Sequence, residues 1–192
     1  MKKTILLISL LILGAASIRL LPHHIYNFTP IGAIALFSGV YLRQVKFSWL
    51  IPIGIMILSD IALELTRGIG FHQEMPFVYG AFILTYILGR KALSSNPKGS
   101  KVALGALSAS AIFFILTNFG SWILSPAYTK DLAGLATCYV AAIPFYTPGD
   151  LLSSFALNGL LGDLFYSGVL FGSYALVKSS LTVQTPDMSV SK

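Results

Sequence analysis

The sequence predicts an all-α protein, an integral membrane bundle of six transmembrane helices with a short re-entrant or interfacial helix between spans five and six. Composition is the first observation: 55% of the 192 residues are hydrophobic and 10% are charged, whereas soluble domains carry about 25% charged residues. The second is a mean hydropathy of +0.78, with long apolar runs between short polar stretches. Both observations argue against an ordinary water-soluble enzyme.

Six apolar segments come close to the length of about 20 residues that a membrane span needs. They cover residues 4–21, 28–42, 47–65, 77–93, 102–124 and 151–177. Backbone amides in lipid must be satisfied within the protein, and the runs lack the alternation of strands, so each segment is predicted to be a helix. Residues 1–178 then form one transmembrane domain, and residues 179–192 form a disordered cytoplasmic tail.

The first segment has a second interpretation. Lys2 and Lys3, an apolar core over residues 5–13 and small residues at 14–17 resemble a cleavable signal peptide. The apolar character continues to Leu21 without a polar start of a mature chain. This continuity favours a retained first span.

The seventh apolar stretch, residues 131–146, is too short to span and is interrupted by Pro144. We therefore expect it to be the re-entrant or interfacial helix, with Asp131 as its N-cap. Residues 147–150 read as a turn, in which Asp150 is a candidate N-cap for the last span.

The basic residues predict the orientation, because Lys and Arg are retained on the cytoplasmic side. Ten of the thirteen fall on one side of the predicted spans, and three fall on the other. The ten are Lys2, Lys3, Arg43, Lys46, Arg90, Lys91, Lys98, Lys101, Lys178 and Lys192. Both termini are therefore expected in the cytoplasm. The net charge of +6 reflects this topology in a lipid bilayer, and no nucleic-acid partner is predicted.

Polar side chains concentrate in the outer half of the predicted spans. A charged group at the bilayer centre costs about 2.5 to 3.5 kcal/mol, so each is a functional candidate. Asp60 and Glu64 are four residues apart and share a helix face. The candidates for ligand binding are Arg19, Asn27, Asp60, Glu64, Asn118 and Asn158. The inner half is nearly all aliphatic, which predicts a polar outer cavity closed below by tight packing.

Each polar group also has a structural alternative. Asp60 is equally compatible with a role in holding the helices together. For Asp163, we favour a hydrogen bond between helices. His23 and His24 are adjacent and point in different directions on a helix, so interfacial loop positions are favoured over metal ligation. Cys138 is the only cysteine and is favoured as a small packed residue.

Aromatic residues crowd the outer side, where many form the interfacial belt. Tyr79, Trp122 and Tyr139 are candidates for stacking on a planar ligand, because aromatic side chains commonly line such pockets. The sequence contains no P-loop, no H-E-x-x-H and no G-x-S-x-G motif. We accordingly predict no enzyme activity, no cofactor and no metal site.

Several strings resemble a family of small six-span bacterial proteins of uncharacterised function. They are NFTPIGA at 27–33, SD at 59–60, VYG at 78–80, TNFGSW at 117–122, the segment 134–145 and GDL at 162–164. That family is similar to the substrate-binding S components of energy-coupling-factor (ECF) vitamin transporters. The likeness covers nearly the whole chain.

The resemblance implies a protein of the bacterial cytoplasmic membrane that captures a small-molecule micronutrient, such as a vitamin or corrinoid, from outside. In S components, the loops between spans one and two, three and four, and five and six shape an outward cavity. Separate ECF coupling and ATPase subunits supply the energy, which agrees with the missing P-loop. The alternative function is a structural or assembly membrane protein that transports no ligand.

Overall fold

The computed structural model describes residues 2–18, 27–68, 70–143 and 155–183. These ranges contain helices and no strand, which confirms the all-α class. In chain order they are α1 (Lys2–Ile18), α2 (Ile31–Tyr41), α3 (Leu50–Arg67), α4 (Met75–Ala92), α5 (Gly99–Leu124), α6 (Leu132–Ala142) and α7 (Phe155–Val183). Each predicted apolar segment coincides with one helix, and α6 is the predicted short helix. Pro144 and the predicted turn at 147–150 lie outside the described residues.

Two of the described helices are long and apolar enough to cross a membrane, namely Gly99–Leu124 and the stretch Leu157–Ser179 of α7. The stretches Leu6–Ile18, Ile31–Tyr41 and Leu132–Ala142 are shorter apolar helices. Helix α7 continues to Val183, five residues beyond the predicted domain boundary at 178. Residues 184–192 of the predicted tail lie outside the described part of the chain.

Helix α2 is the centre of the core. All residues from Ile31 to Val40 are buried, and α1, α3, α4, α5 and α7 each pack against this helix. A helix that is hydrophobic on every face is buried among other helices or in a membrane, and α2 is enclosed by these five helices. This central position brings the amino end of α2 into contact with α7, where polar residues lie.

Helices α2 and α4 touch backbone to backbone at two reciprocal glycines. A Cβ added to Gly39 would lie 2.2 Å from the Tyr86 carbonyl oxygen, and one added to Gly89 would lie 2.3 Å from the Leu36 carbonyl oxygen. Glycine permits this approach because it has no side chain, as at many closely packed helix crossings. The crossing fixes how α4 faces the core.

Polar contacts tie the loops together at one end of the bundle. Arg43 donates from Nη2 to the Leu93 carbonyl oxygen over 2.8 Å. The hydroxyls of Ser48 and Tyr86 are 2.7 Å apart, and Arg90 donates to the Tyr86 hydroxyl over 3.1 Å. The α2–α3 and α4–α5 connections, which carry many of the basic residues, therefore share this end.

The end of α3 shapes the opposite side of the bundle. Gly68 has φ +65° and ends the helix in the left-handed conformation, with its N–H donating to the Glu64 carbonyl oxygen, a common way to end a helix. The chain then turns back on α3, and a Cβ on Gly70 would lie 2.0 Å from the Asp60 carbonyl oxygen. This return covers the α3 turn that carries Asp60.

Candidate functional site

Asp60 and Tyr79 form a buried polar pair between α3 and α4. Asp60 is 1% exposed, and the Tyr79 hydroxyl donates to its Oδ2 over 3.0 Å. Hydrogen bonds to charged groups are stronger than those between neutral groups. The structure thus brings together two of the residues that the sequence singled out.

Glu64 lies one turn beyond Asp60, but its carboxylate turns to the loop after α3. Its Oε2 accepts from the backbone N–H of Gly70 over 2.8 Å and of Phe71 over 3.3 Å. The shared helix face was therefore insufficient to place both carboxylates in one site. Glu64 holds the returning chain in place.

The predicted residues of α5 and α6 join these two helices. Asn118 donates from Nδ2 to the Phe114 carbonyl oxygen of its own helix over 2.8 Å. The Tyr139 hydroxyl donates to the Ile115 carbonyl oxygen over 2.7 Å, and the buried Cys138 thiol contacts the Asn118 carbonyl oxygen over 3.4 Å. The bonds of Tyr139 and Cys138 hold α6 against α5, whereas the Asn118 side chain bonds within α5.

Trp122 ends the same face of α5. Its indole N–H donates to the Thr129 carbonyl oxygen over 2.8 Å, and the Lys130 ammonium donates to the backbone carbonyls of Trp122 and Ser125. The indole therefore fastens the α5–α6 connection. A stacking role on a ligand would use only its ring face.

Asp131 caps α6 as the sequence predicts. Its Oδ1 accepts from the Gly134 N–H over 2.7 Å and from the Thr129 hydroxyl over 2.8 Å. The bond from the Gly134 amide, followed by that from Thr129, lowers the pKa of this carboxyl below its usual value. Donors that bind the ionised form favour it over the protonated form.

This cap makes the start of α6 pH-dependent. Because the folded-state pKa is depressed, the stabilisation is present above the unfolded-state pKa and is lost as the pH falls through the folded-state pKa. We expect protection of the Gly134 amide, its hydrogen-exchange rate compared with the intrinsic rate at the same pH, to fall in acid, and Asp131→Ala to show that low protection already at neutral pH. Exchange that is the same in Asp131→Ala and in the wild type would contradict the cap.

A small polar pocket lies where α7 meets the amino end of α2. Its volume is about 40 Å³. The residues that line it are Asn27, Thr29, Gly32, Phe82, Phe113, Gly159 and Asp163. Asp163 is 8% exposed, and Ser110 of α5 donates to its Oδ2 over 2.7 Å. The predicted helix–helix hydrogen bond of Asp163 is thereby confirmed.

Two distant sequence strings meet at this pocket. A Cβ on Gly32 would lie 2.1 Å from Asp163 Oδ1, and one on Gly162 would lie 3.2 Å from the Thr29 nitrogen. Asn27 has φ +60°, a conformation that asparagine adopts more readily than most residues. The NFTPIGA string and the GDL string thus pack against each other.

A family model matches residues 1–185, and its description is "Family of unknown function (DUF6580)". The chain belongs to this family. No curated protein and no solved structure matches the chain.

In this DUF6580 chain, most of the predicted site residues lie in three separate places. Asp60 and Tyr79 meet between α3 and α4, Asn118, Trp122 and Tyr139 lie along the α5–α6 face, and Asn27 lines the α2–α7 pocket. Asn158 is fully buried in α7. Arg19, His23 and His24 lie outside the described residues.

The α2–α7 pocket was not predicted from the sequence. Asp163 was predicted to form a hydrogen bond between helices, and Thr29, Gly32 and Ser110 were not predicted as site residues. The two strings around Gly32 and Asp163 were the feature of the sequence that could have indicated this pocket, because a glycine permits a carboxylate to approach a helix closely. Among the described residues, no group of three or more His, Cys, Asp or Glu side chains could hold a metal ion.

Proposed function

We propose that this protein crosses the membrane six times and captures a small organic micronutrient in the outer half of its bundle, as ECF S components do. On this proposal the end that carries Arg43 and Arg90 faces the cytoplasm. The opposite end, with Asp60 and the start of α2, faces outward. Coupling and ATPase subunits would be separate partners.

The distribution of side chains supports a lipid environment. Large apolar residues are exposed on several helices, among them Leu58 (69%), Leu104 (56%), Phe165 (55%) and Leu176 (71%). Asp60 and Asp163, by contrast, are buried. Contiguous exposed apolar surface is costly in water and ordinary in lipid.

The observation that carries the ligand-binding proposal is the buried Asp60–Tyr79 pair. Buried ionisable groups in a membrane bundle are expensive, which makes them functional candidates. The hydroxyl fixes one carboxylate oxygen, so a ligand donor would meet a preoriented acceptor. Tyr79 is itself half-buried, with its ring beside the carboxylate.

The size of the α2–α7 pocket sets a condition on this proposal. Pockets for organic ligands measure about 300 to 1,000 Å³, whereas this one measures about 40 Å³. Uptake of a vitamin-sized molecule therefore requires the helices to separate at the outer end. Movement of α3 and α4 relative to α7 would supply that space.

The second candidate is a structural or assembly protein. It is favoured by the side-chain bonds to backbone made by Glu64, Asn118, Trp122 and Tyr139. Under this function, these residues stabilise the helical bundle and its loops, and no small molecule accompanies the protein.

Native mass spectrometry of the full chain, extracted from the membranes of its own host, separates the two functions. We expect the wild type to retain a small organic molecule. Asp60→Asn combined with Asn118→Ala should lose it while remaining monodisperse, because the acceptors that hold the ligand are altered. Glu74→Gln makes a similar carboxylate-to-amide change at the surface and should retain the ligand.

Two outcomes would refute ligand capture. One is a wild-type protein without any bound molecule, even from host membranes. The other is equal retention in the double variant and in Glu74→Gln. A lower melting temperature of the double variant, with no bound molecule in any sample, would favour the structural function.

A further inference from the structure

The α2–α7 pocket has a chemistry of its own. Asp163 is more than nine-tenths buried. Ser110 donates a hydrogen bond to its Oδ2, and the absence of a side chain at Gly32 leaves room for its Oδ1. A cavity of about 40 Å³ remains beside it. A carboxylate that served only to join α7 to α5 would need no such space.

When this carboxylate is ionised, its negative charge is only partly balanced. The amino end of α2 lies against it, and a helix amino terminus carries about half a positive charge. None of the described residues that line the pocket is basic. Burial of an ionised carboxylate is costly unless a positive charge or a proton accompanies it.

Each polar residue that lines the pocket, namely Asn27, Thr29 and Asp163, carries a side-chain oxygen. Besides the carboxylate, Thr29 and Asn27 line the space, and the Ser110 hydroxyl is bonded to the carboxylate. Hard cations such as the alkali ions take oxygen ligands rather than nitrogen or sulfur. One water molecule needs about 10–15 Å³ of such space, so the cavity has room for a small ion or ammonium group with one or two water molecules.

The apolar side of the pocket suits the same class of ligand. Phe82 of α4 and Phe113 of α5 line it, with ring centroids 5.5 Å apart. Aromatic rings keep bulk water out, and their faces attract cations. A buried carboxylate, side-chain oxygens and two aromatic residues in one lining favour a positive group over an anion.

We propose that the pocket between Asp163, Thr29 and Asn27 binds one small monovalent cationic group. That group is either a free inorganic ion such as Na⁺ or the protonated amine of a bound molecule. The amine source rests on the proposed nutrient capture, and the free ion does not. In both cases Asp163 is the anionic ligand and Ser110 positions its carboxylate.

Thermal unfolding of the full-length protein in detergent tests this proposal. The protein is purified in choline chloride, whose cation is too large for the pocket, and is titrated at constant ionic strength with sodium chloride or methylammonium chloride. A hundredfold excess of a bound cation over its Kd should raise the melting temperature by roughly 5 °C or more, and the rise should continue with the logarithm of its concentration. Tryptophan fluorescence reports the transition.

The variants identify the site. Asp163→Asn should abolish the cation-dependent shift, and Ser110→Ala should retain it with a Kd raised by roughly tenfold. Glu74→Gln, a surface carboxylate change, should behave as the wild type. If Asp163→Asn does not fold, the Kd of Ser110→Ala and of Thr29→Val still tests the site.

The two probes distinguish the sources. A shift with sodium indicates a free ion, and a shift with methylammonium alone indicates the amine of a larger ligand. If neither sodium nor methylammonium raises the wild-type melting temperature above that in choline, the proposal is overturned. Protonation would then be what permits the burial of Asp163. An unchanged shift in Asp163→Asn would overturn the proposal as well. The nutrient test uses Asp60 and Asn118, so each proposal can fail alone.

Discussion

Gly89→Ala is expected to destabilise the protein by about 3 kcal/mol or more. The new Cβ would lie 2.3 Å from the Leu36 carbonyl oxygen and 3.1 Å from its carbonyl carbon. Both are backbone atoms of the central helix α2, which is packed on all sides and cannot move without disturbing the core. Thermal unfolding in detergent should show a melting temperature lower by roughly 6 to 12 °C.

Gly54→Ala is the matched control, because a Cβ at Gly54 of α3 meets nothing within 4 Å. In that open position alanine, which is the better helix former, should leave stability equal or higher. Gly39→Ala should destabilise the protein about as much as Gly89→Ala. The loss of stability in the double variant should be smaller than the sum of the two single losses, because both substitutions disturb one crossing. Equal melting temperatures of Gly89→Ala and Gly54→Ala would show that α2 and α4 do not meet in this way.

Tyr79→Phe is expected to destabilise the protein by roughly 2 kcal/mol, because it removes a donor from the buried carboxylate of Asp60. The effect should be smaller in an Asp60→Asn background, where the acceptor is neutral. Unfolding of the wild type, both single variants and the double variant gives the coupling energy directly.

Tyr139→Phe supplies the comparison, since it removes the same hydroxyl from a hydrogen bond to the backbone carbonyl of Ile115, an exposed residue. Its cost should be about 1 kcal/mol or less. If Tyr79→Phe destabilises the protein no more than Tyr139→Phe does, and the effects in the cycle are additive, then the Asp60–Tyr79 bond stabilises the fold no more than an ordinary neutral hydrogen bond.

Much of the secondary structure could be predicted from the sequence, because apolar runs and helix caps are local properties. The segment 102–124 coincides with α5, and Asp131 caps α6 through the Gly134 amide. Side-chain direction was harder to predict. Glu64 shares a helical face with Asp60, yet the return of the chain at Gly70 supplies two amides that turn its carboxylate away.

In the candidate site, too, the residues could be predicted from the sequence and the contacts between them could not. Asp60 and Tyr79 were identified by residue type and predicted depth, but their bond depends on how α4 is rotated, which the glycine crossing at Gly39 and Gly89 decides. The proximity of Gly32 to Asp163 joins residues that are far apart in the chain. Local sequence patterns carry no information about such a contact.

The sequence by itself determined an all-helical chain with apolar outer surfaces and a few costly polar residues, because burial preference and helix formation depend on residue type and near neighbours. Only the tertiary structure decided which polar groups meet: Asp60 with Tyr79, and Asp163 with Ser110 beside the start of α2. The reason is that such pairs depend on the rotation and spacing of whole helices, which are set by close packing between segments distant in the chain.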